Sequence, residues 1–355
     1  FPVNRRCQHR WVPRASFASG EEVAEDALPA EEKLYRWVSK NEELRVLVLG
    51  KSGTGKSSLI NSLLQQNATV GDFDVGTTQV DEYYTEERPV TAMAPRIASY
   101  FIEQGLVKEA IAGKEITCVA WDTPGFFDVQ GRTPAGVLRE LSGKVDAFDV
   151  ILYCQPANDP RVRLEDEQSI SFVVAALAAT SKPIEKRVVV ALTFANQIKP
   201  DRFQETLENK CNHVRSLFSS AIAQLRESLE AQREEEGLEV DDLDNLVLDA
   251  IGEEHIDIYA EASEAASSIR MMAAGAGGKS LQTAEIDACG GGGDQWEDRI
   301  MEQLIVAASE QPRPARMRVN WSALTRLGIV SDAELRPLPP MELVNKYVDL
   351  AVGAI

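Results

Sequence analysis

The chain has 355 residues, of which 26% are charged, and its formal net charge at pH 7 is −19. This acidic balance argues against nucleic-acid binding through bulk electrostatics, whereas it allows an affinity for basic partners or simply supports solubility. No run approaches the roughly 18 consecutive apolar residues of a transmembrane helix, so none is predicted. The length permits two domains, but the motifs spread through one long span and favour a single enlarged domain with tails.

Cysteine and histidine usage predicts neither a disulfide framework nor a metal centre. The five cysteines are odd in number and far apart, with no Cys-x-x-Cys pair. The three histidines show no metal-ligand spacing. We therefore expect reduced, mostly structural thiols and no metal chemistry beyond an ion that accompanies a bound ligand.

The N-terminal segment is basic. Four arginines lie among serines and prolines in the first 20 residues, with no acidic residue, and an acidic stretch follows from Glu21. This composition is typical of the end of an organelle-targeting segment or of a flexible tail that contacts an acidic partner, and both interpretations stay open. We assign residues 1–30 to a tail, 31–311 to the main domain and 312–355 to a C-terminal extension.

A phosphate-binding loop follows the first predicted strand. A short helix over Ala30–Lys40 precedes the apolar run Val46–Leu49, and residues 50–58 then read Gly-Lys-Ser-Gly-Thr-Gly-Lys-Ser-Ser, before a helix predicted over Ser58–Leu64. This is the complete Gly-x-x-x-x-Gly-Lys-Ser pattern in its strand-loop-helix context. Its glycines let backbone N–H groups turn toward phosphates, and the helix N-terminus favours negative charge. The sequence therefore predicts a nucleoside triphosphate site.

Individual roles follow from this pattern. Lys56 is expected to span the β- and γ-phosphates, and the Ser57 hydroxyl is expected to ligate Mg²⁺. The predicted ligand contacts within the loop are Lys51, Ser52, Gly53, Thr54, Gly55, Lys56, Ser57 and Ser58.

Two further segments have the character of nucleotide-sensing switches. The strand Ile116–Trp121 ends in Asp122-Thr123-Pro124-Gly125, where Asp122 would hold Mg²⁺ through water and the Gly125 amide would contact the γ-phosphate. Earlier in the chain, the Thr78 hydroxyl is our choice over Thr77 for a contact to Mg²⁺. The threonine pair would equally suit β-branched positions at a strand edge.

Strands and helices alternate through the rest of the domain, with helical insertions near 91–113 and 203–262. The predicted elements are a strand at Tyr83-Tyr84, helices over Pro134–Leu141 and Leu164–Ala179, strands over Asp149–Cys154 and Arg187–Thr193, a long acidic helix over Phe203–Glu235, a strand over Ile269–Met272 and a helix over Trp296–Ala308. This alternation predicts an α/β fold in three layers, with a mostly parallel central sheet and helices on both faces.

These motifs resemble the chloroplast import-receptor (Toc) GTPases and the related immunity-associated nucleotide-binding proteins (GIMAPs), a septin-like branch of the phosphate-loop GTPases. The resemblance covers about 45–308. It rests on the phosphate loop, the Asp122–Gly125 turn, the strand ending at Tyr153 with Asp166-x-Gln168 after it, and Leu192-Thr193 where most GTPases have Asn-Lys-x-Asp. It implies a GTPase-type phosphate-loop fold, GTP or GDP with Mg²⁺ as cofactors, and phosphate-anhydride hydrolysis.

The resemblance also implies a base site and an interface residue. Thr193 and Phe194 stand where the family contacts the base, with Phe194 in place of the usual histidine and Gly275-Ala276 in place of a Glu-Asn pair. Guanine should therefore be preferred only weakly, since a stacked ring does not discriminate between bases. Arg161 falls where the Toc branch has an arginine that reaches across a homodimer, although a solvated loop arginine is the alternative.

Catalysis is expected to be slow, because Phe126-Phe127 follow Gly125 where many GTPases have a water-orienting glutamine. We expect a Toc/GIMAP-like GTP-binding switch that regulates dimerisation or docking in an organelle, a plastid rather than a mitochondrion, with protein import as a compatible role. Expected partners are a second copy, a related GTPase or subunits of a larger complex, and not nucleic acid. The alternative is a nucleotide-binding subunit of a large assembly that hydrolyses weakly or not at all.

Overall fold

The computed structural model describes residues 29–64, 79–85, 88–90, 97, 114–126, 133–159, 164–177, 184–236, 266–275, 296–311 and 313–331. The strands are β1 (Glu43–Leu49), β2 (Asp81–Tyr84), β3 (Arg88–Pro89), β4 (Glu115–Asp122), β5 (Ala147–Phe148), β6 (Val150–Pro156), β7 (Val188–Thr193), β8 (Arg270–Ala273) and β9 (Ala315–Arg316). The α-helices are α1 (Ala30–Lys40), α2 (Lys56–Leu64), α3 (Pro134–Lys144), α4 (Leu164–Leu177), α5 (Phe203–Glu236), α6 (Trp296–Ser309) and α7 (Trp321–Arg326).

The central sheet is mostly parallel, as predicted. Its seven described strands run in the order β2-β4-β1-β6-β7-β8, and β3 also pairs with β4. β1 pairs in parallel with both β4 and β6, and the β6–β7 and β7–β8 pairs are parallel as well, whereas β2 and β3 are antiparallel to β4. Every residue of β7 is buried, so helices cover both faces of the sheet.

The predicted elements agree closely with those observed, and the differences are local. Helix α3 continues to Lys144 instead of ending at Leu141. Strand β6 begins at Val150, one residue after its predicted start, and just before it the Asp149 carboxylate accepts the Arg45 N–H at 2.9 Å while the Asp149 N–H donates to the Arg45 carbonyl at 2.9 Å. Helix α6 packs on β6, β7 and β8 and supplies the fully buried Trp296 to the core.

Residues 313–331 pack on the main domain. Strand β9 pairs with β5, and helix α7 packs against α4. Ala315, Leu324 and Val330 are buried in the same core as the sheet. The C-terminal extension predicted from residue 312 therefore contributes to the folded body as far as 330.

Several predicted features lie outside the described residues. These are the tail before residue 29, nearly all of the insertion at 91–113, and the segments 237–265 and 332–355. Cys118 and Cys154 are buried free thiols, as expected, but Cys211 is disulfide-bonded, so the expectation of reduced cysteines is wrong for that residue. Among the helices that the structure describes, none combines the length and the apolar character needed to cross a bilayer.

Arg187 joins three segments at the start of β7. Its side chain is buried, and its guanidinium donates to the Asp149 carbonyl at 3.0 Å and to the Arg313 carbonyl at 2.7 Å. Burial lowers the pKa of Arg187 to about 10, while the nearby Asp149 carboxylate acts in the opposite direction. The guanidinium stays charged at neutral pH and holds the segment after 312 against the sheet.

Replacement of Arg187 by Met should lower the free energy of unfolding by about 1.5–3 kcal/mol, because two charge-assisted hydrogen bonds are lost. Urea denaturation measures this change. The matched control is Arg36→Met, which removes only a surface pair with Glu32 and should change stability by less than about 1 kcal/mol. Equal stability of the two variants would contradict this role of Arg187.

Candidate nucleotide-binding site

The candidate site lies at one edge of the sheet. Parallel strands end at the same edge, where the loops between strands and helices form crevices for ligands. The positions that reach this edge are Lys51 after β1, Asp122 at the end of β4, Ala157 after β6, Thr193 at the end of β7 and Gly275 after β8. The topology therefore brings together the motifs that the sequence spreads over more than two hundred residues.

Lys56 lies across the phosphate loop. Its side chain is buried, and its Nζ donates to the Lys51 carbonyl at 2.9 Å and to the Gly50 carbonyl at 3.3 Å. The Leu59 N–H donates to the Gly55 carbonyl, so helix α2 begins at Lys56, two residues before its predicted start. The ammonium is thus held at the N-terminal end of a helix, where negative charge is favoured.

The two predicted Mg²⁺ ligands of the described region are in contact. The Ser57 hydroxyl donates to Oδ2 of Asp122 at 2.6 Å, although the residues come from different elements. Hydroxyl and carboxylate oxygens suit Mg²⁺, so Ser57 could ligate the ion while Asp122 beside it holds a water molecule of the ion. Within the described ranges no group of three His, Cys, Asp or Glu side chains is suited to a metal.

The Asp122–Gly125 turn rests directly on the phosphate loop. The Phe126 N–H donates to the Gly50 carbonyl, and a Cβ added to Gly125 would lie 2.2 Å from the Ser52 nitrogen. Only glycine permits this approach. The turn and the phosphate loop therefore form one surface, as the predicted role of the Gly125 amide requires.

Phe126 packs in the core instead of facing the site. It is 1% exposed, and its ring meets Phe172 of α4 edge to face with centroids 4.6 Å apart. From its place after Gly125, Phe126 was expected only to replace a water-orienting glutamine. Its structural role could have been read from two consecutive aromatic residues after a turn, which is a signal of burial. Phe127 lies outside the described residues.

The end of β7 is tied to the phosphate loop. The Thr193 hydroxyl donates to the Thr54 carbonyl at 2.7 Å, and both residues are buried. Phe194 follows in a left-handed conformation with φ of 57°, which is uncommon for an aromatic residue. Its ring approaches to 3.0 Å from where a Cβ of Gly55 would stand, so the loop glycine makes room for it. Phe194 is therefore oriented toward the loop, as a base-stacking residue would be.

A pair of side chains on α3 holds the residue before β2. The Glu140 carboxylate accepts the Val80 N–H at 2.8 Å, and the Lys144 ammonium donates to the Val80 carbonyl at 2.6 Å. Glu140 and Lys144 also pair with each other at 2.9 Å. Sequence reasoning missed this contact, although the i,i+4 spacing of the two charges was a signal. We call it the Val80 clamp.

Lys51 belongs to the phosphate loop, and Cys154 adjoins it. Lys51 contributes its carbonyl to the loop, but its ammonium is 2.5 Å from Asp166 of α4. Cys154 lies beside the loop, and burial raises the pKa of its thiol to about 12, so the thiol stays neutral. The predicted residues that lie outside the described ranges are Thr77, Thr78, Arg161 and Ala276.

Comparison with known proteins agrees with this geometry. Residues 45–193 match the family model described as 50S ribosome-binding GTPase. Translocase of chloroplast 159 of Arabidopsis thaliana is 27% identical over 202 residues, which are 52% of this chain and 12% of that protein. The translocase of chloroplast 34 homolog of Chlamydomonas reinhardtii is 29% identical over 170 residues, or 44% of this chain and 36% of the relative.

A septin and a solved structure are also similar. Septin homolog spn1 of Schizosaccharomyces pombe is 28% identical over 169 residues, 44% of this chain and 31% of the septin. The chain thus spans about a third or less of the length of these relatives. The crystal structure of Arabidopsis thaliana Toc33 in complex with GDP and Mg²⁺ covers 81% of this chain and 95% of Toc33, at 18% identity and a TM-score of 0.49. The family match and these relatives make this chain similar to the Toc- and septin-type phosphate-loop GTPases, in agreement with the phosphate-loop geometry.

Proposed function

We propose that this chain binds GTP and GDP together with Mg²⁺ and acts as a nucleotide-controlled switch that regulates dimerisation or docking. The observation that carries the proposal is the convergence of Lys56, Ser57 and Asp122, from two elements, at the end of β1. The match of residues 45–193 to a GTPase family model supports the choice of ligands. In this proposal the loop from Lys51 to Ser58 surrounds the phosphates.

Each residue has a role in the proposed site. The Lys56 ammonium and the N-terminus of α2 balance the phosphate charge. Ser57 and Asp122, with the Thr78 hydroxyl, hold Mg²⁺, which neutralises charge that develops on the phosphate oxygens. The Gly125 amide contacts the terminal phosphate, and Thr193 and Phe194 border the base.

The Val80 clamp supports a switch. Val80 follows Thr78 by two residues, and helix α3 follows the segment that contains Gly125. Both backbone polar groups of Val80 are held by α3 side chains, so the end of the first proposed switch is attached to the helix after the second. If one switch were displaced, this contact would transmit the movement to the other. Both switches would then respond together to the terminal phosphate.

Hydrolysis is proposed to be slow in the single chain. Phe126 is buried against Phe172 and cannot orient a water molecule. We propose that Lys56, Thr78 and Gly125 supply the catalytic contacts, and that Arg161 of a second copy supplies the additional charge. Arginine suits this task because its planar group meets phosphate oxygens in a bidentate manner.

The cellular setting is also a proposal. Two of the relatives are named translocases of chloroplasts, which supports a plastid location and a role connected with protein import. The net charge of −19 suits basic partner segments. The proposed partners are a second copy, a related GTPase or other subunits of a complex.

A second candidate function is favoured by the burial of Phe126 and by Gly275 at the proposed base site. A subunit of a large assembly could use bound nucleotide for stability, with weak hydrolysis or none. The nucleotide content of the purified protein separates the two functions. Tightly held, unhydrolysed triphosphate supports the structural subunit, whereas measurable turnover with release of diphosphate supports the switch.

Replacement of Lys56 by Ala should lower the affinity for GDP and for a non-hydrolysable GTP analogue by at least about 100-fold, or about 2.8 kcal/mol. The reason is that loop amides alone cannot balance the phosphate charge. Isothermal titration calorimetry with Mg²⁺ measures both affinities. The control is Lys186→Ala, an exposed lysine before β7 at the opposite edge of the sheet. Parent-like affinity of the Lys56 variant would refute the proposed site.

Guanine should be selected over adenine by much less than the roughly 10⁴-fold that a hydrogen-bonding site reaches, since Phe194 stacks on either base. Phe194→Ala should weaken GTP and ATP binding alike by about 5- to 100-fold, the usual value of a stacked base. Phe194→Tyr keeps the ring and should behave like the parent. Competition of ATP against labelled GTP tests this, and strong GTP selectivity would contradict it.

Arg161→Ala should loosen a nucleotide-dependent dimer or slow hydrolysis at high protein concentration, while the monomer keeps its affinity for GDP. Arg163→Ala, in the same loop, is the matched control. Analytical ultracentrifugation with GDP and with a GTP analogue, together with turnover against protein concentration, measures both effects. Identical profiles for the parent and the Arg161 variant would leave Arg161 a solvated loop residue.

A further inference from the structure

The side chain of Lys51 is directed away from the proposed ligand. Lys51 stands at the first variable position of the Gly-x-x-x-x-Gly-Lys-Ser pattern and is one of the predicted ligand contacts of the loop. Its Nζ instead lies 2.5 Å from Oδ1 of Asp166 and 3.9 Å from Glu165, at the start of α4. We propose that Asp166 is a positioning residue that holds Lys51 off the phosphates and thereby fixes the first turn of the phosphate loop. This inference rests on the proposed nucleotide site.

The ion pair is shielded from water. The side chains of Lys51 and Asp166 are 13% and 4% exposed. The Gln155 amide, at the end of β6, donates to the same Oδ1 at 3.1 Å. A carboxylate bonded from two directions in a buried place has a defined orientation, and its ammonium partner is difficult to remove because each charge would be left without compensation.

The backbone of Lys51 faces the other way. Its carbonyl accepts from Lys56 Nζ at 2.9 Å and from the Thr54 hydroxyl at 2.9 Å. Lys51 therefore contributes a carbonyl to the interior of the loop and a side chain to α4. Rotation of the ammonium toward a phosphate would require it to leave Asp166, whereas Lys56 already lies in the loop.

Helix α4 supports the loop at a second point. Lys51 forms an isolated β-bridge with Phe126, and the Phe126 ring packs on Phe172 of α4. Asp166 and Phe172 thus hold the first turn of the phosphate loop and the start of the second proposed switch on one helix. A change in the position of α4 would therefore move both the phosphate loop and the second proposed switch.

A second lysine, Lys210, lies near Asp166 and contacts Asp159, the residue that precedes the segment with Arg161. From α5, Lys210 donates to the Asp159 carbonyl at 3.0 Å and so holds the residue before that segment. Burial lowers the pKa of Lys210, while Asp166 and Asp159 raise it. Burial and Lys210 lower the pKa of His213 on the same helix. Lys51 and Lys210, from different elements, therefore both lie near Asp166, between the phosphate loop and the residue Asp159 that precedes the proposed interface loop.

The test compares Lys51→Met, Asp166→Asn and the double variant with the parent. Calorimetry with GDP and with a non-hydrolysable GTP analogue, each with Mg²⁺, gives the affinities. We expect each single variant to bind both nucleotides about tenfold more weakly, with the ratio of the two affinities unchanged within about twofold. The double variant should bind no more weakly than either single variant, since the two changes remove one interaction. Asp166→Glu keeps a carboxylate at this position, so it should retain most of the parent's affinity, unlike Asp166→Asn.

The double variant removes both buried charges together, so it tests the inference even where a single variant does not fold. A selective loss of the GTP analogue in Lys51→Met, or its tighter binding in Asp166→Asn, would show that Lys51 is a phosphate ligand and would overturn the inference. Parent-like or additive effects would overturn it as well. If the parent binds neither nucleotide, the proposed function itself is wrong. If the parent binds nucleotide but the variants do not show the equal and non-additive losses of affinity, only the role of Asp166 is wrong.

Discussion

The phosphate loop depends on hydrogen bonds that its carbonyl groups accept from neighbouring elements. The Gly50 carbonyl accepts from the Phe126 N–H, the Lys51 carbonyl from Lys56 and the Thr54 carbonyl from Thr193. A planar trans peptide points its C=O and N–H in opposite directions. Carbonyls engaged with the surrounding strands and with Lys56 therefore orient the adjacent N–H groups the other way, which is how a loop forms a concave site for an anion.

The same contacts explain why the sheet order matters for function. β1 lies between β4 and β6, and β7 is the next strand. The loop after β1 is consequently bordered by the end of β4, which supplies Asp122, and it reaches the end of β7, which supplies Thr193. A different strand order would separate Ser57 from Asp122, and no local feature of the loop could compensate.

Helices on either side of this edge connect the site to more distant segments. Helix α4 carries Asp166 and Phe172, which contact the loop and the second proposed switch, and helix α3 carries the Val80 clamp. Two helices therefore contact the proposed nucleotide site and its proposed switches. This arrangement would suit a protein that acts by changing the surface it presents to partners rather than by releasing a product.

Local patterns in the sequence determined the elements and the identity of the candidate site. Alternating apolar segments predicted the parallel sheet, and the glycine and lysine spacing predicted the phosphate loop, because both depend on residues close together in the chain. Tertiary structure alone decided the partner of Lys51, the burial of Phe126, the bond between Thr193 and Thr54 across 139 positions, and the packing of residues 313–330 on the domain. These contacts join residues far apart in the chain. They follow from strand order and register, which periodicity and spacing do not encode.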